Sequence, residues 1–242
     1  MTDEARPTGT QDAGAVSSTA LASEICLNLP VAAIDPVEIY RYLGYPADAA
    51  PAPRLAERIA GIAAEALACI RPRGVYSVYK IAGATAHSLK FNDTTISGNI
   101  GEYLGAASRV AAFAVTVGEE ISHLATSKDD DAFAAWVVDS TGSWAVESAA
   151  DTLMSRIRRH LQDGEELTLR YSPGYCGMEI GEQRKLFQLI QADAVAVTLM
   201  PSMLMHPLKS ISGLVGLAPK ETVRQHRSPC DLCQRTGCPM RR

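Results

Sequence analysis

A run of apolar residues at positions 110–117, Val-Ala-Ala-Phe-Ala-Val-Thr-Val, places the strongest constraint on how this chain can fold. The run is far shorter than the roughly 18 residues that a membrane-spanning helix needs. Its uninterrupted apolar character is instead typical of a strand buried inside a folded domain. We therefore predict that residues 110–117 form a buried strand.

The remaining hydrophobic pattern predicts a mixture of helices and strands. We predict helices over residues 36–44, 54–70, 132–164 and 181–190. We predict strands over residues 75–81, 85–91, 167–171, 194–199 and 208–217, with the first two paired around Gly83. Ser97 is predicted to cap a short helix, and order is expected to begin near Asp35. Because there is no strict alternation of strand and helix, the pattern favours an α+β fold with a largely antiparallel sheet.

Length and composition indicate one main domain with two flanking segments. The chain has 242 residues, of which 47% are hydrophobic and 21% charged, so it can build a full core. Residues 1–23 are rich in Ala, Ser, Thr and Gly without periodicity and are expected to form a disordered extension. Residues 24–219 are then the folded domain, and residues 220–242 form a basic, cysteine-rich tail.

The patterns of charge and hydropathy argue against two classes of partner, nucleic acids and membranes. Residues 220–242 contain six basic and two acidic residues; since the whole chain carries −4, residues 1–219 carry −8. The body has no basic stripe with interleaved aromatic residues, so nucleic-acid binding is not expected. No apolar run is long enough to span a membrane, and the acidic start lacks the features of a signal peptide. We expect a cytoplasmic protein without a membrane partner.

Three cysteines of the tail, Cys230, Cys233 and Cys238, have spacing typical of a metal site. Thiolates two residues apart can face one metal, and a third cysteine can close the turn around it. The fourth ligand would be Cys176, His226, substrate or water. The spacing alone does not distinguish a 4Fe–4S cluster from zinc, and a redox-active thiol pair or inert cysteines are the alternatives.

The segment Arg-Tyr-Ser-Pro-Gly-Tyr-Cys at 170–176 is a second candidate site. Arg170 lies at the end of a predicted strand, and its guanidinium group could hold a carboxylate through two hydrogen bonds. Gly174 would allow a flat ligand to approach the backbone closely. The alternative is an ordinary surface turn whose arginine extends into solvent.

Several motifs in order along the chain resemble the activation domain of cobalamin-dependent methionine synthase. These motifs are RYSPGY, the GEQRKLF that follows it, MHPLKSISG further on, and the upstream AVTVG and TGSWAVE. The resemblance covers roughly residues 36–217 and is greatest to free-standing members that carry a C-terminal cysteine cluster. It implies a helmet-shaped α+β domain with a twisted antiparallel sheet and flanking helices.

The resemblance also implies roles for particular residues. Arg170, Ser172 and Tyr175 match the ligand-binding loop of the family, which is written RPAPGY, and would bind S-adenosylmethionine. Glu147, on the preceding long helix, would take the amino group of the ligand. Tyr175 would in addition face the corrin ring, which makes it the candidate catalytic residue.

The activity implied by the resemblance is the repair of an oxidised corrinoid. Cob(II)alamin would be reduced to cob(I)alamin, and methyl transfer from S-adenosylmethionine would trap the reduced form as methylcobalamin. Because no cobalamin-binding domain is recognisable, the corrinoid is expected on a separate methionine synthase or another corrinoid methyltransferase. An electron-donor protein, or a cluster held by the tail and Cys176, would supply the electron. The alternative is a binding module: an S-adenosylmethionine sensor or corrinoid-protein chaperone that uses structural zinc and does no redox chemistry.

Overall fold

The computed structural model describes residues 20–34, 36–46 and 48–223, which form an α+β domain built on antiparallel sheets. Within these residues the main sheet has five strands in the order β1-β2-β6-β10-β7. Its strands are β1 (Ala22–Cys26), β2 (Arg73–Lys80), β6 (Arg109–Thr116), β7 (Glu165–Leu167) and β10 (Ser210–Pro219). Two smaller sheets hold β3 (Gly83–Ala84), β4 (Ser88–Phe91) and β5 (Thr94–Ser97), and β8 (Thr198–Leu199) and β9 (Met205–His206). The α+β class and the antiparallel pairing are as predicted.

Helices cover both faces of the main sheet. They are α1 (Pro36–Tyr42), α2 (Pro53–Cys69), α3 (Ile100–Tyr103), α4 (Glu120–Thr126), α5 (Ala132–Ile157) and α6 (Glu182–Phe187). Short 3₁₀ helices occupy Arg158–His160, Ala192–Val195 and Lys220–Thr222. In the described part of the chain, none of the helices has both the length and the hydropathy that crossing a membrane requires.

Strand β6 lies at the centre of the sheet and separates two hydrophobic cores. Phe113 and the residues two positions before and after it face a core formed with α1, α2, α4 and α5. Ala112 and the residues two positions before and after it face a second core formed with β4, β5, α3 and α6. Because successive side chains of a strand point to opposite faces, a strand covered on both faces must be apolar throughout. The predicted buried strand at 110–117 is confirmed.

The structure corrects four expectations about local structure. Order begins before Asp35, because β1 pairs with β2 and includes Ala22 and Ser23, which we expected to lie in the extension. The strand at 75–81 does not pair with 85–91: β2 lies between β1 and β6, where both of its faces can be buried. Ser97 belongs to β5, and α3 begins after Asn99. The predicted strand 194–199 is a 3₁₀ helix followed by the short β8.

Helix α5 is the longest element and runs along the sheet. Asp131 caps its start by accepting a hydrogen bond from the backbone N–H of Ala134 at 3.0 Å. At Gly142, helix α5 comes close to neighbouring side chains: a Cβ atom added there would be 3.0 Å from the Ile121 side chain and 3.2 Å from the Lys209 side chain. A larger residue would make these side chains shift by a few tenths of an ångström, so glycine eases the close packing of α5 against α4 and Lys209.

A network of polar groups centred on Glu24 ties β1 to the end of α5. The Glu24 carboxylate accepts hydrogen bonds from Tyr76 at 2.8 Å and Arg156 at 2.7 Å, and it forms an ion pair with Arg159 at 3.0 Å. Burial by itself would raise the pKa of Glu24. The hydrogen bonds from Tyr76, Arg156 and Cys26 and the charge of Arg159 outweigh burial and lower this pKa to about 2. Burial and the neighbouring carboxylate raise the pKa of the Cys26 thiol to about 11, so it stays protonated at neutral pH.

Replacing Glu24 by glutamine is expected to lower the free energy of unfolding by about 1–3 kcal/mol at pH 7, the usual cost of losing hydrogen bonds to a charged group. Because folding depresses the pKa of Glu24 from 4.5 to about 2, its contribution is complete above pH 4.5 and is lost as the pH falls towards 2. Urea unfolding of the wild type and of Glu24→Gln at pH 7 and pH 3 measures the stability difference at each pH. Glu57→Gln, on the exposed face of α2, is the control. An equal stability difference at the two pH values would contradict it.

Candidate functional site

An open cleft of about 510 Å³ lies between one face of α5 and the segment that leads into α1. Its described lining residues are Ala32, Ala33, Glu38, Tyr42, Trp144, Glu147, Ser148, Asp151, Thr152, Ser155 and Arg170. The volume is within the range of small-molecule sites, and the lining combines aromatic rings with a few charged groups. The cleft can therefore take a ligand that has both an apolar ring and charged ends.

Arg170 and Glu147 form the charged part of this cleft. The Nη2 atom of Arg170 donates to the Glu147 carboxylate at 2.8 Å and lies 3.4 Å from a carboxylate oxygen of Asp151. The Nη1 atom of Arg170 is buried and has no hydrogen-bond partner among the described residues. A buried donor without an acceptor is unfavourable, so a carboxylate that reached this atom would remove an energetic penalty.

The same face of α5 carries a row of polar residues at four-residue spacing. Asp139 and Ser143 both contact the ammonium group of Lys209, at 2.7 and 2.9 Å. One and two turns further along α5, Glu147 and Asp151 contact Arg170. Residues four apart lie on one side of a helix, so Lys209 and Arg170 attach β10 and the loop after β7 to the same side of α5.

The loop over residues 170–178 is held in a compact shape by its own backbone. The N–H of Gly174 donates to the carbonyl of Met178, and the N–H of Met178 donates to the carbonyl of Tyr175, both at 2.9 Å. Gly174 and Gly177 adopt φ values of +85° and +89°, which glycine adopts without strain. The loop therefore presents Tyr175 outward, with 65% of its surface exposed.

Tyr171 anchors this loop to the rest of the domain. Its ring is 1% exposed and stacks on Tyr103 with the ring centroids 4.3 Å apart. Its hydroxyl accepts from the N–H of Asn99 at 2.8 Å and donates to the carbonyl of Cys176 at 3.1 Å. Burial raises the pKa of Tyr171, while the hydrogen bond from Asn99 acts in the opposite direction. The hydroxyl therefore remains a donor at neutral pH.

The predicted site residues divide into two groups. Arg170 and Glu147 meet in the cleft, although 23 positions separate them in sequence. Ser172, Gly174 and Tyr175 lie on the adjoining loop and are not among the described residues that line the cleft. Ser172 packs against β10. A Cβ atom added at Gly213 of this strand would lie 2.8 Å from the Oγ atom of Ser172.

Sequence reasoning missed several residues of the cleft. Glu38 and Tyr42 belong to α1, which we predicted as a helix without any role in a site. Trp144 and Asp151 lie one turn to either side of Glu147 on α5. The four-residue spacing of Glu147 and Asp151 was the signal that could have identified the second carboxylate.

The predicted metal ligands are not assembled by the described residues. Cys230, Cys233 and Cys238 lie outside them, as does His226. Cys176 has a φ of 47° and packs against the second core, and its carbonyl also accepts from the Asn99 side chain at 3.0 Å. No group of three potential metal ligands occurs among the described residues.

Comparison with known proteins finds a matching family and solved structures with a similar fold. A family profile for "Vitamin B12 dependent methionine synthase, activation domain" matches residues 99–223, which is about half of the chain. A crystal structure of the MetH reactivation domain bound to AdoHcy superimposes with a TM-score of 0.63 at 17% sequence identity, covering 91% of this chain and 86% of the other. No curated protein matches this sequence significantly.

The family profile spans β6, the long helix α5, the loop with Arg170 and strand β10. Of these elements, α5 and the loop with Arg170 supply one wall of the cleft. The superposition, at low identity, independently supports the fold. The chain therefore belongs to the family of activation domains of vitamin B12-dependent methionine synthases.

Proposed function

We propose that this domain binds S-adenosylmethionine in the cleft and donates its methyl group to a reduced corrinoid on a second protein. Arg170 would hold the ligand carboxylate, and Glu147 would hold its ammonium group. The observation that carries the proposal is the pairing of Arg170 and Glu147 at 2.8 Å in the wall of the cleft. This pair of opposite charges matches the two charges of an α-amino acid, which would replace their mutual contact.

The lining of the cleft supports this class of ligand. Trp144 and Tyr42 offer aromatic surface for the adenine ring, and Ser148, Thr152 and Ser155 offer hydroxyl groups for ribose. A crystal structure of the MetH reactivation domain contains AdoHcy, the product of methyl transfer from S-adenosylmethionine. Family membership supports a role in restoring an inactive corrinoid.

The reaction requires one electron and one methyl cation. Cob(II)alamin gains an electron from a donor protein and becomes cob(I)alamin, an uphill step. Cob(I)alamin then takes the methyl group from the sulfonium, which leaves methylcobalamin and S-adenosylhomocysteine. The contribution of this domain is to hold the methyl group close to the cobalt and in line with it.

Tyr175 is the residue that we propose contacts the corrin ring. It projects from the tip of the loop that begins at Arg170, and its ring is 65% exposed. A large aromatic side chain that is exposed on a loop held by its own backbone hydrogen bonds is suited to bind a flat, apolar partner. The corrinoid would thus reach the cleft from the side of this loop, carried by a methionine synthase or another corrinoid methyltransferase.

Replacing Tyr175 by alanine is expected to slow methyl transfer about 10- to 100-fold, because a misplaced corrin ring loses its alignment with the methyl group. Binding of S-adenosylmethionine should change less than threefold. The assay supplies a corrinoid-binding protein of the methionine synthase family, reduced to the cob(I)alamin state, and follows methylcobalamin by absorbance. Leu21→Ala, at a residue that is 59% exposed and directly precedes β1, is the control. Full activity on free cobalamin without a second protein would contradict the two-protein reaction.

We further propose that the tail carries a metal centre. Cys230, Cys233 and Cys238 would supply three thiolates, and Cys176, next to Tyr175, would be the fourth ligand of a 4Fe–4S cluster. Such a cluster would lie close to the corrin contact, where the uphill reduction takes place. Iron, sulfide and zinc analysis of anaerobically purified protein distinguishes a cluster from a zinc site.

A further inference from the structure

The two edges of the main sheet differ in how well they are protected. Among the described strands, β1 pairs with β2 alone and β7 pairs with β10 alone, so both lie at edges of the sheet. An edge strand carries backbone N–H and C=O groups that another strand can bind, and natural proteins protect such edges with charges or by keeping them short. Strand β7 has both protections, since it has three residues and two of them are Glu165 and Glu166.

The exposed side of β1 is apolar instead. Within this strand, Ser23 and Ile25 are the exposed residues, and Ile25 has 42% of its surface exposed. Leu21 directly precedes the strand and Leu27 directly follows it, and they are 59% and 58% exposed. Large apolar residues that are exposed side by side mark a surface that binds another molecule. The edge formed by β1 is therefore open to a further strand.

The charged residue of β1 does not protect this edge. Glu24 alternates with the exposed residues and lies on the side of the strand where Cys26 packs against the core that includes α5. Its carboxylate forms ion pairs with Arg156 at 2.7 Å and with Arg159 at 3.0 Å. Because both arginines belong to the same chain, this charge is already compensated and would not repel a strand added at the edge.

A second copy of β1 complements this edge. In an antiparallel pair with twofold symmetry, residues directly opposite each other lie on the same face of the sheet. With the twofold axis at Ser23, Ile25 lies opposite Leu21 of the second copy, so the exposed apolar residues meet each other. Glu24 then lies opposite Ala22. An axis at Glu24 would instead place two carboxylates directly opposite each other, which is unfavourable.

We propose that two copies of this chain associate through β1 and join their five-stranded main sheets into one continuous antiparallel sheet. Backbone hydrogen bonds between the two copies supply affinity, and the contact of Leu21 with Ile25 sets the register. A stable interface uses roughly 20–30 residues a side, far more than residues 20–26 offer. The association is therefore weak, with half of the chains paired at about 10–100 µM.

Sedimentation velocity of the full chain over a range of concentrations measures this association. The weight-average mass of the wild type should rise with concentration towards twice that of one chain. Ile25→Lys places a charge on the edge and should raise the concentration for half-pairing at least about tenfold. Ile180→Lys is the matched control, because Ile180 is 46% exposed and lies shortly before α6, away from β1. It should leave the association unchanged.

A second variant tests the register. Ser23→Cys places two thiols opposite each other at the twofold axis, so diamide, a thiol oxidant, should convert this variant to a disulfide-linked dimer well above the wild-type level. Ser127→Cys, at an exposed position directly after α4, should not exceed the wild-type level. The products are compared on a non-reducing gel.

Each outcome decides the matter. A wild type that stays monomeric at the highest concentration overturns the proposal, as does a dimer that Ile180→Lys weakens and Ile25→Lys does not. A dimer that Ile25→Lys weakens, but in which Ser23→Cys does not become linked, overturns the axis at Ser23. Weakening by Ile25→Lys alone, together with linkage through Ser23→Cys, supports the proposal.

Discussion

Replacing Arg170 by alanine is expected to weaken binding of S-adenosylmethionine by about 2–5 kcal/mol, or roughly 30-fold to several thousand-fold in affinity. Arg170 is the cation in the described lining of the cleft, and its buried Nη1 atom has no protein acceptor. Without the guanidinium group the ligand carboxylate would face Glu147 and Asp151 and would be repelled. Calorimetric titration of the folded variant measures the loss.

Two further variants make this result specific to Arg170. Arg170→Lys should recover little affinity, because a compact ammonium cannot replace the planar group with its several donors. Arg54→Ala, which removes an exposed arginine of α2 outside the cleft lining, should leave affinity unchanged. Wild-type affinity in Arg170→Ala would show that the ligand carboxylate is held elsewhere.

Replacing Tyr171 by alanine is expected to lower the free energy of unfolding by about 3–5 kcal/mol, as for other large buried rings. The substitution removes the stacking on Tyr103 and leaves a cavity beneath the loop that carries Arg170 and Tyr175. Tyr171→Phe keeps the ring but removes both hydrogen bonds of the hydroxyl. It should cost about 1–3 kcal/mol, mainly because the N–H of Asn99 is left without its acceptor.

Chemical denaturation gives the stabilities, and ligand titration gives the effect on the site. Because Tyr171 fixes the loop, Tyr171→Phe should also weaken binding of S-adenosylmethionine while the protein remains folded. Tyr40→Phe, at a half-buried tyrosine of α1, is the control for removal of a hydroxyl. A stability of Tyr171→Phe equal to that of the wild type would show that the two hydrogen bonds do not hold the loop.

The parts of the fold that sequence predicted well are those with strong local signals. Strand β6 was evident because a strand buried on both faces needs a continuous apolar run. Helix α2 was evident from the helical spacing of its apolar residues. Strand β1 was missed because its outward residues, Ser23 and Ile25, and the paired Glu24 give no alternating apolar pattern.

The candidate site also has one part that the sequence predicted and another that only the tertiary structure revealed. Sequence by itself singled out the loop from Arg170 to Cys176, because Pro173 and Gly174 favour a turn directly after Arg170. Similarity to the family connected Glu147 with this loop. Only the tertiary structure placed the Arg170 guanidinium against Glu147 and Asp151 and closed the cleft with α1. Such contacts depend on how α5 lies against the sheet, which is determined by packing between residues far apart in sequence. Local preference does not encode that packing.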